Sequence, residues 1–251
     1  MLRVEHMSCG YSETPIVRDV TFHVREGERL CILGPNGCGK TTMLRALAGL
    51  LSSTGTIEVM GEDIRKMSYR ERARKIALMS QLAPAAFEYT VYETVMLGRY
   101  AHRKGGPLAA ESEADHRAVK DSLTLTGTWE VRDRLISELS GGQLQRVYLA
   151  RTFAQQPQVI MLDEPTNHLD LRYQVELIES LREWSRVAGH CVVGVLHDIN
   201  LALAFADTVL LLDHGSVLAY EPVDKFDLDL LNQLYGMDVR DHMKNALQRW
   251  K

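Results

Sequence analysis

A glycine-rich run with one lysine and two threonines, GPNGCGKTT at residues 34–42, carries the clearest chemical pattern in the chain. It follows the apolar strand-like run RLCIL and precedes a helical pattern that extends to about Gly49. Loop N–H groups and a helix N-terminus together bind anions such as the phosphates of a nucleotide. We expect the phosphate contacts to come from this loop: Gly34, Pro35, Asn36, Gly37, Cys38, Gly39, Lys40, Thr41 and Thr42.

Within this loop, two side chains have distinct expected roles. Lys40 is placed to reach the β and γ phosphates, and the Thr41 hydroxyl is the expected Mg²⁺ ligand. Cys38 has two interpretations: a thiol whose pKa is lowered by the helix N-terminus, or a small residue that fills space under the loop. The sequence favours the second.

Polar residues that follow apolar strand-like runs form the second set. Asp163 and Glu164 end VIMLDE, His197 ends CVVGVLH, and Gln81 ends IALMSQ. The carboxyl ends of parallel strands form the ligand-binding edge of an open α/β sheet. We expect Asp163 and Gln81 to be metal ligands and Glu164 the general base, with His197, Gln81 and Lys40 assisting catalysis.

The stretch LSGGQLQR, residues 139–146, has no obvious catalytic side chain. Ser140 is a good helix cap, and Gly141, Gly142 and Gln143 would form the first helical turn. Bare N–H groups and the helix dipole make this turn a second anion-binding element. The sequence holds one copy of this element and one phosphate loop.

Strand-like and helix-like segments alternate along most of the chain and predict an α/β fold with a parallel sheet. Between residues 84 and 154 the pattern is mostly helical, which predicts a helical insertion. The predicted boundaries are therefore a core at 1–83 and 155–222, a helical subdomain at 84–154, and a C-terminal extension at 223–251 whose structure, helix or loose tail, stays open.

Composition narrows the function classes. The 251 residues are 45% hydrophobic and 25% charged with a formal net charge of −4, which does not favour a nucleic-acid-binding protein. The four cysteines lack metal-ligand spacing and read as reduced thiols. No stretch approaches the roughly 20 apolar residues of a membrane span.

In type and order, the motifs of this chain resemble those of the ATP-binding cassette ATPases. These motifs are GPNGCGKTT, Gln81, LSGGQ, VIMLDEP, NHLD and His197. The resemblance implies a P-loop NTPase (RecA-like) core with a small N-terminal antiparallel β region and a helical subdomain. It implies that Tyr11 stacks on adenine, in contrast to the alternative of a core aromatic. It also implies a head-to-tail homodimer in which one chain completes its partner's ATP site with Ser140, Gly141, Gly142, Gln143 and Asp170.

Three further stretches, around residues 89–102, 139–155 and 196–219, resemble the ATPases of importers for iron–siderophores, haem, cobalamin and related chelates, with molybdate and tungstate relatives. This resemblance implies ATP and Mg²⁺ as cofactors and a peripheral location on the cytoplasmic face of the membrane. It also implies a permease docking near Tyr92 and Arg99, an external binding protein as an indirect partner, and no nucleic acid. The alternative is a soluble cassette ATPase that remodels a nucleic-acid or protein assembly.

Overall fold

Two β-sheets form the framework of the molecule. The computed structural model describes residues 1–80, 88–103, 110–167 and 169–248. The strands of this described part are β1 (Leu2–Cys9), β2 (Val17–Val24), β3 (Arg29–Leu33), β4 (Ser53–Val59), β5 (Glu62–Asp63), β6 (Ile76–Met79), β7 (Val159–Asp163), β8 (Cys191–Val195), β9 (Thr208–Asp213) and β10 (Ser216–Pro222).

The larger sheet has the strand order β10-β9-β3-β8-β7-β6, and the smaller sheet has the order β2-β1-β4-β5. The larger sheet is parallel except at its edge, where β10 runs antiparallel to β9. The smaller sheet is antiparallel throughout. The carboxyl ends of β3, β7 and β8 therefore lie side by side, and this edge carries the polar residues described below.

Helices connect and cover these strands. They are α1 (Lys40–Leu47), α2 (Tyr69–Lys75), α3 (Val91–Met96), α4 (Glu113–Leu125), α5 (Gly141–Ala154), α6 (Leu171–Ser185), α7 (Ile199–Phe205), α8 (Asp229–Tyr235) and α9 (Val239–Leu247). In the sequence, Ser68 and Glu71 have the spacing of a capping box, which predicts a short helix to Lys75. The structure confirms this prediction, because Ser68 and Glu71 form a capping box at α2.

Burial on both faces explains the continuous apolarity of the central strands. In β3, Leu30 and Ile32 face the core shared with the smaller sheet and α1, whereas Cys31 and Leu33 face the core under α6 and α7. The period of two follows from strand geometry. A third apolar cluster joins α3, α4 and α5 and forms the core of the helical region.

The predicted fold class is confirmed: a parallel α/β core, an N-terminal antiparallel region and a helical region between β6 and β7. The tail left open by the sequence forms α8 and α9. The domain boundaries stay predictions, and the one at residues 83 and 84 lies outside the described residues. Among the described helices, none is both long and apolar enough to span a membrane.

Candidate nucleotide-binding site

The phosphate loop lies between β3 and α1 at the carboxyl edge of the larger sheet. Gly34 has no space for a side chain, since a Cβ there would lie 2.2 Å from the Leu212 carbonyl oxygen. Gly39 adopts a φ of 111°, which other residues rarely adopt. Lys40 is buried, and its ammonium group donates to the carbonyl oxygens of Gly34 (2.7 Å) and Pro35 (2.9 Å). Lys40 thus connects the end of the loop to its first two residues through hydrogen bonds.

The rest of the loop divides into an exposed and a buried part. Asn36 and Gly37 are exposed at its tip, whereas Thr42 is buried in the first turn of α1. Cys38 is buried and free, and burial raises the pKa of its thiol, with only partial opposition from the Lys40 charge. A raised pKa means less thiolate, so the structure favours the space-filling interpretation of Cys38.

Thr41 and Asp163 meet across the loop. The Thr41 hydroxyl donates to Asp163 Oδ1 at 3.0 Å, although the two residues are 122 positions apart. Asp163 ends β7, and burial raises the pKa of its carboxyl, an effect that the hydrogen bond from Thr41 partly offsets. The pair therefore presents a hydroxyl and a carboxylate, both hard oxygen donors, next to the phosphate loop.

Glu164 is held by polar groups on two sides. His197 Nε2 lies 2.6 Å from Glu164 Oε1, and Asn167 Nδ2 donates to Oε2 at 2.7 Å. Glu164 has a φ of 56°, and its N–H donates to the Val195 carbonyl oxygen at 3.1 Å. A non-glycine residue in this conformation is strained and must be held by its surroundings. The contacts fix the carboxylate at the sheet edge.

The start of α5 brings the second glycine element close to α6. Ser140 caps α5 through the Gln143 N–H, and the Gln143 side chain accepts from the Ser140 N–H. A Cβ on Gly142 would lie 2.7 Å from the Tyr173 ring, and the Arg146 guanidinium lies 4.8 Å from the centre of that ring. Ser140 and Gly141 are exposed. A side chain at position 142 would therefore press on the Tyr173 ring.

One contact ties α5 to the loop that follows β7, and another caps α6. The buried Gln145 side chain donates to the Pro165 carbonyl oxygen at 2.6 Å, next to Glu164. Asp170 caps α6 by accepting from the Tyr173 N–H at 3.1 Å. Sequence reasoning did not assign roles to Gln145 or Asn167, although both are polar residues inside the quoted motifs.

Tyr11 lies in the loop after β1 and is 58% exposed, which excludes the core alternative. Its hydroxyl accepts from Arg45 Nη1 of α1 at 2.9 Å. Arg45 was not among the residues predicted from the sequence. Gln81, the remaining predicted site residue, lies outside the described residues.

Arg99, which lies in the region predicted to dock a permease, is buried. It is 4% exposed, and its Nε donates to Asp115 Oδ1 at 2.9 Å while its Nη1 donates to the Ala154 carbonyl oxygen at 2.7 Å. The Arg99 side chain is therefore occupied by contacts within the chain, and the docking of a permease near Tyr92 and Arg99 stays a prediction. Tyr92 is half-buried, with its hydroxyl 2.5 Å from His116 Nδ1.

Comparison with known proteins places this site in a family. The family model described as ABC transporter matches residues 17–167. The chain is 36% identical to the ferric enterobactin transport ATP-binding protein FepC of Escherichia coli (strain K12), covering 94% of this chain and 87% of that protein. It is 34% identical to the iron(3+)-hydroxamate import ATP-binding protein FhuC of Bacillus subtilis (strain 168), covering 95% and 88%.

Solved structures agree with these relatives. A metal-chelate type ABC transporter in an inward-facing conformation matches with a TM-score of 0.81 and 28% identity, covering 94% of this chain and 88% of that one. The ATP-binding cassette MJ0796, solved as a dimer with ADP and Pi, matches with a TM-score of 0.76 and 27% identity, covering 90% and 100%. The chain therefore belongs to the ABC transporter family as an ATP-binding ATPase subunit.

Proposed function

We propose that this chain is the ATP-hydrolysing subunit of a membrane importer for an iron–siderophore, haem, cobalamin or a related metal chelate or oxyanion. The observation that carries the proposal is the similarity to FepC, which extends over 94% of the chain and so includes the helical region as well as the ATPase motifs. The names of FepC and FhuC refer to iron chelates, which favours that class of cargo.

Binding of the triphosphate is assigned to the loop from Gly34 to Thr42. Lys40 would contact the β and γ phosphates, and the Tyr11 ring would stack on the base. Thr41 and Asp163, with oxygens 3.0 Å apart, are the donor types that Mg²⁺ prefers, so they would hold this ion. When bound, Mg²⁺ neutralises charge that develops on the phosphates. Gln81 is proposed as a further metal or water ligand.

Hydrolysis is assigned to Glu164 and His197. A carboxylate at the sheet edge can accept a proton from the attacking water, and such a general base contributes about 10²- to 10⁴-fold in rate. His197, 2.6 Å from that carboxylate, would keep Glu164 in position and donate a hydrogen bond to the γ-phosphate. Asn167 would restrain the other carboxylate oxygen.

A second copy of the chain is the proposed direct partner. The exposed first turn of α5 would reach the partner's γ-phosphate through Ser140, Gly141, Gly142 and Gln143, and Asp170 would contact the partner subunit. The arrangement would give a head-to-tail dimer with two composite sites. Integral membrane permease subunits would dock on the helical region, and an external binding protein would deliver the cargo. The chain would then lie on the cytoplasmic face of the membrane, without a nucleic-acid partner.

A dimer-trapping experiment tests the composite site. Glu164→Gln should bind ATP but hydrolyse it at least about 10²-fold more slowly, because the amide cannot accept the proton of water. Size-exclusion chromatography with light scattering should then show an ATP-dependent dimer. Adding Ser140→Arg should abolish that dimer and leave ATP binding intact. A Glu164→Gln protein that binds ATP and stays monomeric would contradict the composite site.

Transport is tested with the native membrane complex. The tagged chain is purified from detergent-solubilised membranes of its source, and the co-purified proteins are identified by mass spectrometry. The complex is then reconstituted into vesicles with an isotope-labelled ferric siderophore. ATP-dependent uptake that is lost with Glu164→Gln would support the import of an iron chelate. Co-purification of ribosomal or other soluble assembly proteins without a membrane protein would contradict it.

A further inference from the structure

The Tyr11 ring extends from a tightly closed loop. The Ile16 N–H donates to the Cys9 carbonyl oxygen at 2.9 Å and closes the base of the loop. Gly10 is packed closely, since a Cβ there would lie 2.9 Å from the Thr14 carbonyl oxygen. The backbone of the loop is thus well fixed, whereas the Tyr11 side chain is 58% exposed. Packing alone does not hold the ring in one orientation.

A hydrogen bond from Arg45 restrains the Tyr11 side chain. Arg45 lies on the exposed face of α1, and its Nη1 donates to the Tyr11 hydroxyl oxygen at 2.9 Å. The same helix begins at Lys40, five residues earlier, so Arg45 lies roughly 7.5 Å further along the helix axis. The hydrogen bond therefore connects the aromatic ring to the helix that starts at the phosphate loop.

This connection fixes the ring relative to the phosphate loop. An aromatic face stacks on a nucleotide base with little dependence on the identity of the base. Stacking is stronger when the ring is already oriented, because less rotamer freedom is lost on binding. The exposed Tyr11 ring beside α1 has the position and the chemistry of such a platform.

We propose that Arg45 is a positioning residue for the nucleotide base, which holds Tyr11 ready to stack on a nucleoside triphosphate bound at the phosphate loop. The inference rests on the ATP contacts proposed above and assigns a role to a residue outside the recognised motifs. Arg45 acts through Tyr11 and touches neither the phosphates nor the reacting atoms. It should therefore affect affinity for the nucleotide and leave the rate of hydrolysis at saturation unchanged.

The competing explanation is that Arg45 acts only through its positive charge. That charge does reach the site, since it lowers the pKa of the Asp163 carboxyl as one of the smaller contributions. A charge effect would strengthen the binding of any polyanion. A positioning effect would strengthen the binding only of ligands that carry a base. A ligand without a base therefore distinguishes the two explanations.

The test measures dissociation constants by calorimetry for ATP and for inorganic tripolyphosphate. The proteins are wild type, Arg45→Ala, Tyr11→Phe and the double variant. Tyr11→Phe keeps the ring and removes the hydroxyl that accepts from Arg45. Arg45→Lys keeps the charge and a donor and should restore part of the affinity. Arg117→Ala is the matched control, an exposed helical arginine whose Nη1 lies 3.5 Å from Glu113 Oε2.

The expected result is an increase of about three- to tenfold in the ATP dissociation constant for Arg45→Ala and for Tyr11→Phe, with Arg117→Ala unchanged. The double variant should be no weaker than either single variant, and tripolyphosphate should bind all four proteins within about twofold. Turnover of Arg45→Ala at saturating ATP should stay within about twofold of wild type.

Two results would overturn the inference. One is an equal loss of tripolyphosphate affinity in Arg45→Ala, and the other is wild-type ATP affinity in Tyr11→Phe beside a weakened Arg45→Ala. A wild-type protein that fails to bind ATP would instead contradict the proposed nucleotide site itself.

Discussion

Helices α4 and α5 begin with the same hydrogen-bonded cap and differ in charge. Ser112 and Asp115 form the capping box of α4, and Ser140 and Gln143 form that of α5. In α4 the residue that closes the box is a carboxylate, and this carboxylate is buried and paired with Arg99. In α5 it is a neutral amide, and the first turn has no acidic residue.

The difference in charge indicates that the same type of helix cap can serve two purposes, folding in α4 and anion binding in α5. A carboxylate in the first turn offsets the partial positive charge of the helix N-terminus. The start of α4 is thus neutralised internally and serves the folding of the helical region. The exposed start of α5 keeps its positive end available for an external anion. Capping boxes also start α2 and α3, where Glu71 and Glu93 close them, so α5 differs in charge from three other helices.

The largest expected effect concerns the buried Arg99–Asp115 pair at the start of α4. Arg99→Met leaves the Asp115 carboxylate buried without its cation, which should lower the free energy of unfolding by about 3 to 5 kcal/mol. Urea unfolding followed by circular dichroism measures this change. Arg117→Met, at an exposed site on α4, is the control and should cost less than about 0.5 kcal/mol. A loss below about 1 kcal/mol for Arg99→Met would show that the buried pair contributes little.

The next largest effect is expected when a negative charge is introduced into the capping box of α5. Gln143→Glu should preserve the capping box, because Glu accepts the same N–H hydrogen bond. It should nevertheless weaken ATP-dependent dimerisation about 10- to 100-fold, since the new carboxylate would oppose the partner's γ-phosphate. Sedimentation in the Glu164→Gln background measures this dimerisation.

The matched variant Glu93→Gln makes the reverse exchange in the capping box of α3. It should leave dimerisation unchanged. Unaltered dimerisation in Gln143→Glu would refute an anion-binding role for the start of α5.

The pH dependence of stability gives a smaller effect. Burial raises the pKa of Asp115, but hydrogen bonds from Ser112 and Arg99 outweigh it and lower the pKa to about 2, from an ordinary value of 3.8. A lowered folded-state pKa stabilises the fold above the unfolded-state pKa, and this contribution disappears as the pH falls through the folded-state value. The contribution is about 2 kcal/mol at neutral pH, and roughly half of it should be lost by pH 3.

Urea unfolding at pH 7 and pH 3 measures this dependence. Asp115→Asn should lose less stability than wild type over that interval, by about 1 kcal/mol. Equal pH dependence of the two proteins would argue against a lowered pKa at Asp115.

The smallest effect on stability is expected from substituting two neighbouring glycines in α5, Gly141 and Gly142. Gly142→Ala should cost about 1 to 2 kcal/mol in stability, because the new methyl group would push on the Tyr173 ring. Gly141→Ala meets open space and should be neutral or stabilise the helix by up to about 1 kcal/mol. Thermal unfolding measures both variants. Equal stabilities would indicate that the Tyr173 ring moves aside at little cost.

Local patterns and strand order were enough to predict much of the fold and part of the site. The apolar runs predicted β3, β6, β7 and β8, and the Ser68 capping box predicted α2. Glu164 and His197 were placed at one sheet edge because β7 and β8 were expected to run parallel, and the structure brings their side chains to 2.6 Å. Their catalytic roles stay predictions.

The contacts that sequence reasoning missed are long-range. The burial of Arg99 was not predicted, because its partners Asp115 and Ala154 are 16 and 55 residues away. The Arg45–Tyr11 bond spans 34 residues, and the Gln145–Pro165 bond spans 20. Side-chain type and local spacing give no indication of these pairings, because they depend on how the helices pack on the sheet.

If Lys40 binds phosphate as proposed, its contacts described above would make triphosphate binding an exchange of hydrogen bonds. The buried ammonium group already donates to two carbonyl oxygens. A phosphate that bound Lys40 would replace these hydrogen bonds and add few to the total, so this lysine would contribute less to affinity than one without partners. The same two bonds satisfy the ammonium group within the protein, where a buried charge without partners would be costly.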